Sequence, residues 1–182
     1  EYPERPQSVG ATLMEVRSLN TRKLHDVSFS LRHGEILGLV GLVGAGRTEI
    51  VRAIFGADRT FGHQIVIEGQ PVRIKSPSDA KRAGLGFIPE DRKLQGLVLP
   101  FSVESNISMA SFQKFTRFGF LNKAKEAEIG IRQSKALAVK TPSTKTPGKN
   151  LSGGNQQKCI IAVSYIHLPL PTICNHSIFV LS

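Results

Sequence analysis

Gly41, Gly46, Arg47 and Thr48 stand at the spacing G-x-x-x-x-G-[KR]-[ST], inside the stretch GLVGAGRTE. Glycines so spaced let a backbone turn tightly and present N–H donors to phosphate oxygens. A helix that follows adds the positive end of its dipole. Gly44, Ala45, Gly46, Arg47 and Thr48 are the expected donors. Thr48 also carries a hydroxyl suited to Mg²⁺, a hard ion that takes oxygen ligands. Arg47 fills a position where such loops carry lysine. The charge is kept, but a planar, forked guanidinium replaces a compact ammonium, and in a tight loop the exchange is not neutral. A plain turn between strand and helix uses the same residues, so the flanking elements have to decide.

Upstream, Leu13 to Val16 and Leu24 to Leu31 alternate apolar and polar residues, as half-buried strands do. His33-Gly34 turns into EILGLVG, an apolar run expected to form a strand buried on both faces. Downstream, TEIVRAIFG places apolar residues at Ile50, Val51, Ile54 and Phe55, which is helical spacing, and Gly56 is the expected cap. Two short strands are predicted around Glu68-Gly69, then a capped helix over Ser76 to Gly84 and a buried strand at GFIP. From about Phe101 the texture becomes polar and helical, with Asn122 capping a long helix. The loop TPSTKTPGKN leads into LSGGNQQK and another helix.

Composition sets the outer limits. The chain has 182 residues, 40% of them apolar and 21% charged, as in an ordinary globular domain. No apolar run reaches the ~18 residues that span a bilayer. The opening EYPERPQSVG is polar and unlike a signal peptide. It starts at Glu1 rather than Met, so the chain is expected to be a segment of a longer protein or a truncated copy. Residues 1–12 read as a linker and 13–182 as one domain, with a helical subdomain over about 101–150 and a divergent tail over 163–182. Cys159 and Cys174 lack metal-site spacing and read as free thiols. The net charge of +10 raises nucleic-acid binding as a possibility. The basic pairs, such as Arg22-Lys23, Lys81-Arg82 and Lys123/Lys125, read as scattered and without interleaved aromatic rings, so no nucleic-acid partner is expected.

LSGGNQQK, Leu151 to Lys158, is a Ser-Gly-Gly turn at a helix start, and thus a second set of free N–H donors behind a helical insertion. With PEDRKLQGL (Pro89 to Leu97) and GLVGAGRTE it resembles ABC-type nucleotide-binding domains. More narrowly, it resembles the second ATP-binding domain of tandem-domain importers for ribose, galactose or xylose. The likeness runs from about Leu13 to Ala162.

That resemblance implies an α/β fold: a P-loop NTPase of ABC type with a β-rich edge and a helical subdomain, incomplete at its C-terminus. It implies ATP and Mg²⁺ as ligands. Gly41, Gly44, Ala45, Gly46, Arg47 and Thr48 would hold one nucleotide, with Thr48 and Glu90 beside the metal. Ser152, Gly153 and Gly154 would close over the γ-phosphate held by a facing domain. The implied partners are a second nucleotide-binding domain, transmembrane permease subunits reached through the Glu90 region, and indirectly a periplasmic sugar-binding protein. The implied location is cytoplasmic, peripheral on the inner face of the cell membrane.

Three departures temper the implied activity. Glu90 stands where ABC domains usually carry glutamine. The segment Leu19 to Asp26 has no aromatic residue on which adenine would stack, leaving Arg22 as a weak substitute. Past Ala162 no Asp or Glu occurs. Counting from the signature puts Asn175 and His176 where Asp-Glu is expected, and the downstream switch histidine is missing. His167 and His176 read as incidental, so no residue is assigned as catalytic. The expected function is an ATP-binding domain that couples ATP binding and hydrolysis to sugar uptake. The competing readings are a non-hydrolysing module, either a degenerate nucleotide-binding domain or a truncated remnant that supplies only the signature to a partner domain, and an ABC domain of DNA repair or translation.

Overall fold

In a computed structural model, residues 9–109, 111–112, 115–167 and 178–181 are described. They divide between two compact units. The first comprises the described residues up to Leu85 together with Ile178, and the second those from Gly86 to His167 together with Phe179 to Leu181.

The first unit is built on an antiparallel sheet. Strand β1 (Thr12–Leu19) lies between β2 (Val27–Arg32) and β3 (Gln64–Ile67), and β4 (Gln70–Val72) pairs with β3 to give the order β2-β1-β3-β4. Met14↔Ile67 and Val16↔Ile65 fix the β1–β3 register. Val16, Leu19 and Ile65 are among the least accessible side chains. β2 alternates half-buried and exposed residues, as a strand with one solvated face must. The β3–β4 turn uses Glu68 and Gly69, both at positive φ (50° and 75°), as two-residue hairpin turns require. Gly10 and Ala11, inside the expected linker, already bond to His33, through Gly10 N–H to His33 O and His33 N–H to Ala11 O, each at 3.0 Å.

Helix α1 (Arg47–Ile54) buries Val51, Ala53 and Ile54. Gly56 ends it at φ 70°, and a Cβ there would sit 2.9 Å from the Ser76 backbone, so the position is closed to other residues. Helix α2 (Pro77–Arg82) starts at Ser76, whose Oγ accepts from Asp79 N–H, with Pro77 at the first helical position. Strand β5 (Leu85–Ile88) follows.

One expectation fails in this unit. EILGLVG forms no strand. Among the described residues nothing pairs with its edges, and Ile36 and Val40 are 73% and 98% exposed. A strand buried on both faces exists only where neighbours accept its backbone bonds on both sides. Apolar composition alone does not create those neighbours.

The second unit packs helices α3 (Val103–Met109), α4 (Lys123–Ala136) and α5 (Gly153–His167) together. Its core joins Leu97, Val103, Ile107, Leu151, Cys159, Ile160 and Ala162. Asn122 caps α4 by accepting from Lys125 N–H. Gly130 allows α3 and α4 to touch, since a Cβ there would lie 2.8 Å from Glu104 Cα. Burial raises the thiol of Cys159 to about 11, and it is a free, unreactive core residue. A short hairpin, β6 (Thr116–Arg117) and β7 (Phe120–Leu121), links α3 to α4, and β8 (Ile178–Leu181) pairs with β5.

Candidate functional site

The glycine loop closes on itself through Ala45 N–H, which donates to Leu42 O at 3.0 Å. Gly44 and Gly46 both take the left-handed conformation, φ 86° and 88°. At Gly44 the constraint is conformational only, because a Cβ would meet nothing. At Gly46 it is also steric, with Leu24 Cδ2 only 2.7 Å from the Cβ position, and at Gly41 an added Cβ would meet Ala45 Cβ at 2.9 Å.

Gly46 is the N-cap of α1 and, as glycine, brings no capping side chain. The first intrahelical bond runs from Ile50 N–H to Gly46 O. The N–H groups of Arg47 and Thr48 therefore point out of the helix end with no acceptor among the described residues. The Arg47 guanidinium, which is exposed, and the Thr48 hydroxyl are likewise free of hydrogen-bond partners there. Two open amides, a cation and a hydroxyl at the positive end of a helix dipole are an arrangement chemically suited to an anion.

Residues 20–26 form a turn that packs on this loop, so the strand expected from Leu24 starts only at Val27. Thr21 Oγ1 accepts from the N–H groups of Lys23 and Leu24, and Asn20 Oδ1 from Asp26 N–H. Leu24 is 5% exposed and fills the space above Gly46. Lys23 Nζ meets Glu49 Oε1 at 2.8 Å. That hydrogen bond raises the amine and lowers the carboxyl from their ordinary values. It also occupies the one acidic group in the first turn of α1, which would otherwise repel an incoming anion. The turn brings a residue that sequence reasoning missed. Phe61 N–H donates to Asn20 O at 2.8 Å, and its ring is 47% exposed beside the segment that lacks an aromatic of its own. Phe61 stands forty-one positions beyond Asn20, and only the β1–β3 register closes that gap.

At the other end of α1, Arg52 grips Asp58 with two bonds, 2.9 and 2.8 Å. The bond holds the Asp58 carboxyl below its usual range. A carboxyl lowered in the folded state stabilises the fold above its unfolded titration and loses that contribution as pH falls through the carboxylate range. Asp58→Asn is therefore expected to lower stability at pH 7 by about 0.5–1 kcal/mol, since the pair is partly solvated. It should also flatten the acid limb of a Tm-against-pH curve. An unchanged acid limb would remove the pair from the stability of α1.

The second glycine motif lies in the other unit. A 3₁₀ turn, Gly148–Asn150, precedes it, and Gly148 O accepts from the buried Gln156 Nε2 at 3.1 Å. Asn155 bonds Ser152 Oγ with its amide nitrogen and takes Lys140 N–H with its oxygen, while Lys158 Nζ reaches Ala138 O. Asn155 and Gln156 thus hold the turn, Lys158 ties α5 to the segment after α4, and Ser152, Gly153 and Gly154 are exposed. Nothing lies within 4 Å of a Cβ built on Gly154. Glu90 is exposed at the bend after β5. Gly96, next in that segment, lets a π turn (Arg92–Gly96) pack on Ile160, 2.5 Å from the Cβ position. The expected site residues thus form two sets: Gly41 to Thr48 in the first unit, Glu90 and Ser152 to Gly154 in the second. Asn175 and His176 lie outside the described residues, and His167 is the last residue of α5.

The family model for the ABC transporter matches residues 24–170, through both glycine motifs and eight residues beyond Ala162. The chain belongs to the ABC transporter family. Among curated proteins this ABC domain is similar to the ribose import ATP-binding protein of Rubrobacter xylanophilus, 46% identical over 88% of this chain and 32% of that protein. It is also similar to a putative ribose/galactose/methyl galactoside import ATP-binding protein of Burkholderia cenocepacia, 49% identical over 88% of this chain and 32% of the relative. The chain spans about a third of the length of these relatives. Among solved structures it resembles a nucleotide-free ATP-binding cassette of an ABC transporter, with TM-score 0.70 and 15% identity over 86% of this chain and 65% of the other. A dimeric cassette bound to ADP and Pi gives 0.68 at 14% identity, over 93% and 88% of the two chains. The ABC cassette fold expected from the motifs is the one observed.

Proposed function

We propose that this ABC domain binds ATP with Mg²⁺ through Gly41, Gly44, Ala45, Gly46, Arg47 and Thr48, and offers Ser152, Gly153 and Gly154 to a nucleotide held by a facing domain. The observation that carries the reading is the uncapped start of α1 behind two left-handed glycines, with the Arg47 and Thr48 donors free. Mg²⁺ fits the donor set, because Thr48 has a hydroxyl that no group among the described residues engages; Glu90 is the second proposed oxygen donor, to be tested by its own substitution. When bound, the ion neutralises charge on the terminal phosphates. Phe61 is the proposed adenine contact, supplying the ring that residues 19–26 lack.

The relatives' names motivate the larger role. In that role the domain pairs with a second nucleotide-binding domain and with permease subunits, and couples ATP binding and hydrolysis to uptake of ribose- or galactose-type sugars. A periplasmic sugar-binding protein acts further upstream. No described helix is long and apolar enough to cross a membrane, which agrees with a peripheral place on the inner face of the cell membrane, held there by the permease.

Equilibrium binding of a fluorescent ATP analogue tests the nucleotide site. Thr48→Ala and Arg47→Ala should each weaken Mg²⁺-dependent binding roughly tenfold or more, at about 1–3 kcal/mol per charge-assisted contact, while Ser152→Arg leaves it intact. Phe61→Ala should weaken ATP by ~5–100-fold, the usual worth of one stacked base, yet leave inorganic triphosphate unaffected. If Arg47→Ala and Thr48→Ala are silent and only Ser152→Arg damages a reconstituted pair, the chain is a signature donor that binds no nucleotide of its own.

A further inference from the structure

The basic residues are less scattered than the sequence reading held. Between Glu104 and Glu126 the chain carries Lys114, Arg117, Lys123 and Lys125, four phenylalanines and no acidic residue. The hairpin β6–β7 lies within this stretch, with Thr116↔Leu121 and Arg117↔Phe120 paired. Two of the phenylalanines secure its base. Phe115 is 5% exposed and meets Phe112 edge-on at 5.8 Å, and Phe115 O accepts from Asn122 N–H. The other two are displayed: Phe118 is 87% and Phe120 81% exposed.

Phe118 is also in the wrong place for its own turn. Phe118 and Gly119 both have positive φ, 51° and 80°, where such hairpins take Asn-Gly or Asp-Gly. A bulky ring in the left-handed region is disfavoured, and this one stands largely in solvent. A locally unfavourable residue held at an exposed tip points to a use outside the chain.

We propose that the Phe118–Phe120 hairpin docks directly on an anionic lipid surface, its rings entering the interface and the neighbouring lysines meeting headgroups. Lys125 is exposed, and the Lys123 side chain is 79% exposed even while bonded to Glu126. Aromatic rings beside cations are the chemistry of an interfacial anchor. The tip is too small to hold a protein partner alone, since two rings of about 200 Å² fall short of the ~800 Å² a stable interface takes from each partner. Strands of two residues give no sheet face or groove for stacking a nucleic-acid strand. The inference needs neither nucleotide nor permease and stands apart from the function proposed above.

Co-sedimentation of the full chain with protein-free vesicles tests it. Wild type should sediment with phosphatidylcholine–phosphatidylglycerol vesicles, at least about tenfold better than with phosphatidylcholine alone. It should come off in ~1 M salt, where the Debye length is about 3 Å. Phe118→Asn with Phe120→Thr should reduce binding about tenfold or more. Asn suits the left-handed turn, so the double variant is expected to melt no lower than wild type, and the loss is not one of folding. The proposal is overturned if folded wild type ignores the mixed vesicles or if the double variant binds them equally. An oligonucleotide that binds wild type and not the double variant, with no vesicle binding, would reassign the hairpin to nucleic acid.

Discussion

Gly46→Ala is expected to abolish binding of the ATP analogue and lower the melting temperature, whereas Gly154→Ala should raise the melting temperature slightly and leave this chain's own nucleotide binding unchanged. The two glycines belong to motifs that look alike in sequence, yet they face opposite constraints. At Gly46 a methyl group would meet Leu24 Cδ2 at 2.7 Å, on a residue already at φ 88°. The left-handed conformation costs alanine ~1–2 kcal/mol, and overpacking a buried position about 1–3 more. At roughly 2–4 °C per kcal/mol for a chain of this size, the loss is easily measured. Relief requires the loop to move, which takes the Arg47 and Thr48 donors out of line. At Gly154 the Cβ position is empty and the residue lies in the first turn of α5, where alanine gains about 0.5–1 kcal/mol over glycine. Nothing among the described residues calls for glycine there. The open space suits a ligand that comes from outside, and Gly154→Ala should show its damage only in a paired assembly. Equal loss of nucleotide binding in both variants would sink the distinction, and with it the division of the two motifs between two nucleotides.

What could be read in the sequence follows from how local each determinant is. The Ser76 and Asn122 caps, the Glu68-Gly69 turn and the helix after the glycine loop depend on neighbours a few residues away, and each stands where its residues put it. Residues 35–41 do not, because a doubly buried strand is defined by partners elsewhere in the chain, and period cannot supply them. Phe61 was hidden for the same reason, reaching Asn20 only through the pairing of β1 with β3. The strand expected over Leu24 to Leu31 starts at Val27 instead, because the Thr21 and Asn20 side-chain bonds that hold the preceding turn leave no periodic trace. Gly41 to Thr48 and Ser152 to Gly154 each stand at the start of a helix, a placement that residues close in the chain decide.

Asn106→Asp, nearly isosteric, is expected to be among the most damaging single changes in the second unit, costing about 3–5 kcal/mol. Asn106 is 3% exposed. Its Nδ2 donates to the carbonyls of Val98, Phe101 and Ser102 at 3.0, 3.1 and 3.0 Å, and its Oδ1 accepts from Val98 N–H at 2.8 Å. The two amide hydrogens are thus shared among three carbonyls, each of which also accepts a backbone N–H. An introduced carboxylate would remove those donors and set a buried negative charge against the same three carbonyls. The damage should travel. Phe101 O and Leu99 O accept from Gly148 and Lys149 N–H, and Gly148 O in turn receives Gln156 of α5. Loosening residues 98–102 loosens the turn that presents Ser152. The sign of the pH response separates this account from simple loss of packing. Protonation restores one donor, so the folded variant favours the neutral acid and its carboxyl titrates above the unfolded value. The folded state then binds more protons, and the variant should recover stability as pH falls through that raised pKa. Asn106→Leu, which cannot titrate, should be similarly destabilised at pH 7 and show no such recovery. Thermal melts of both variants from neutral to acid pH decide the matter: parallel curves would mean that the cost is one of shape, and that the amide does not hold the loop.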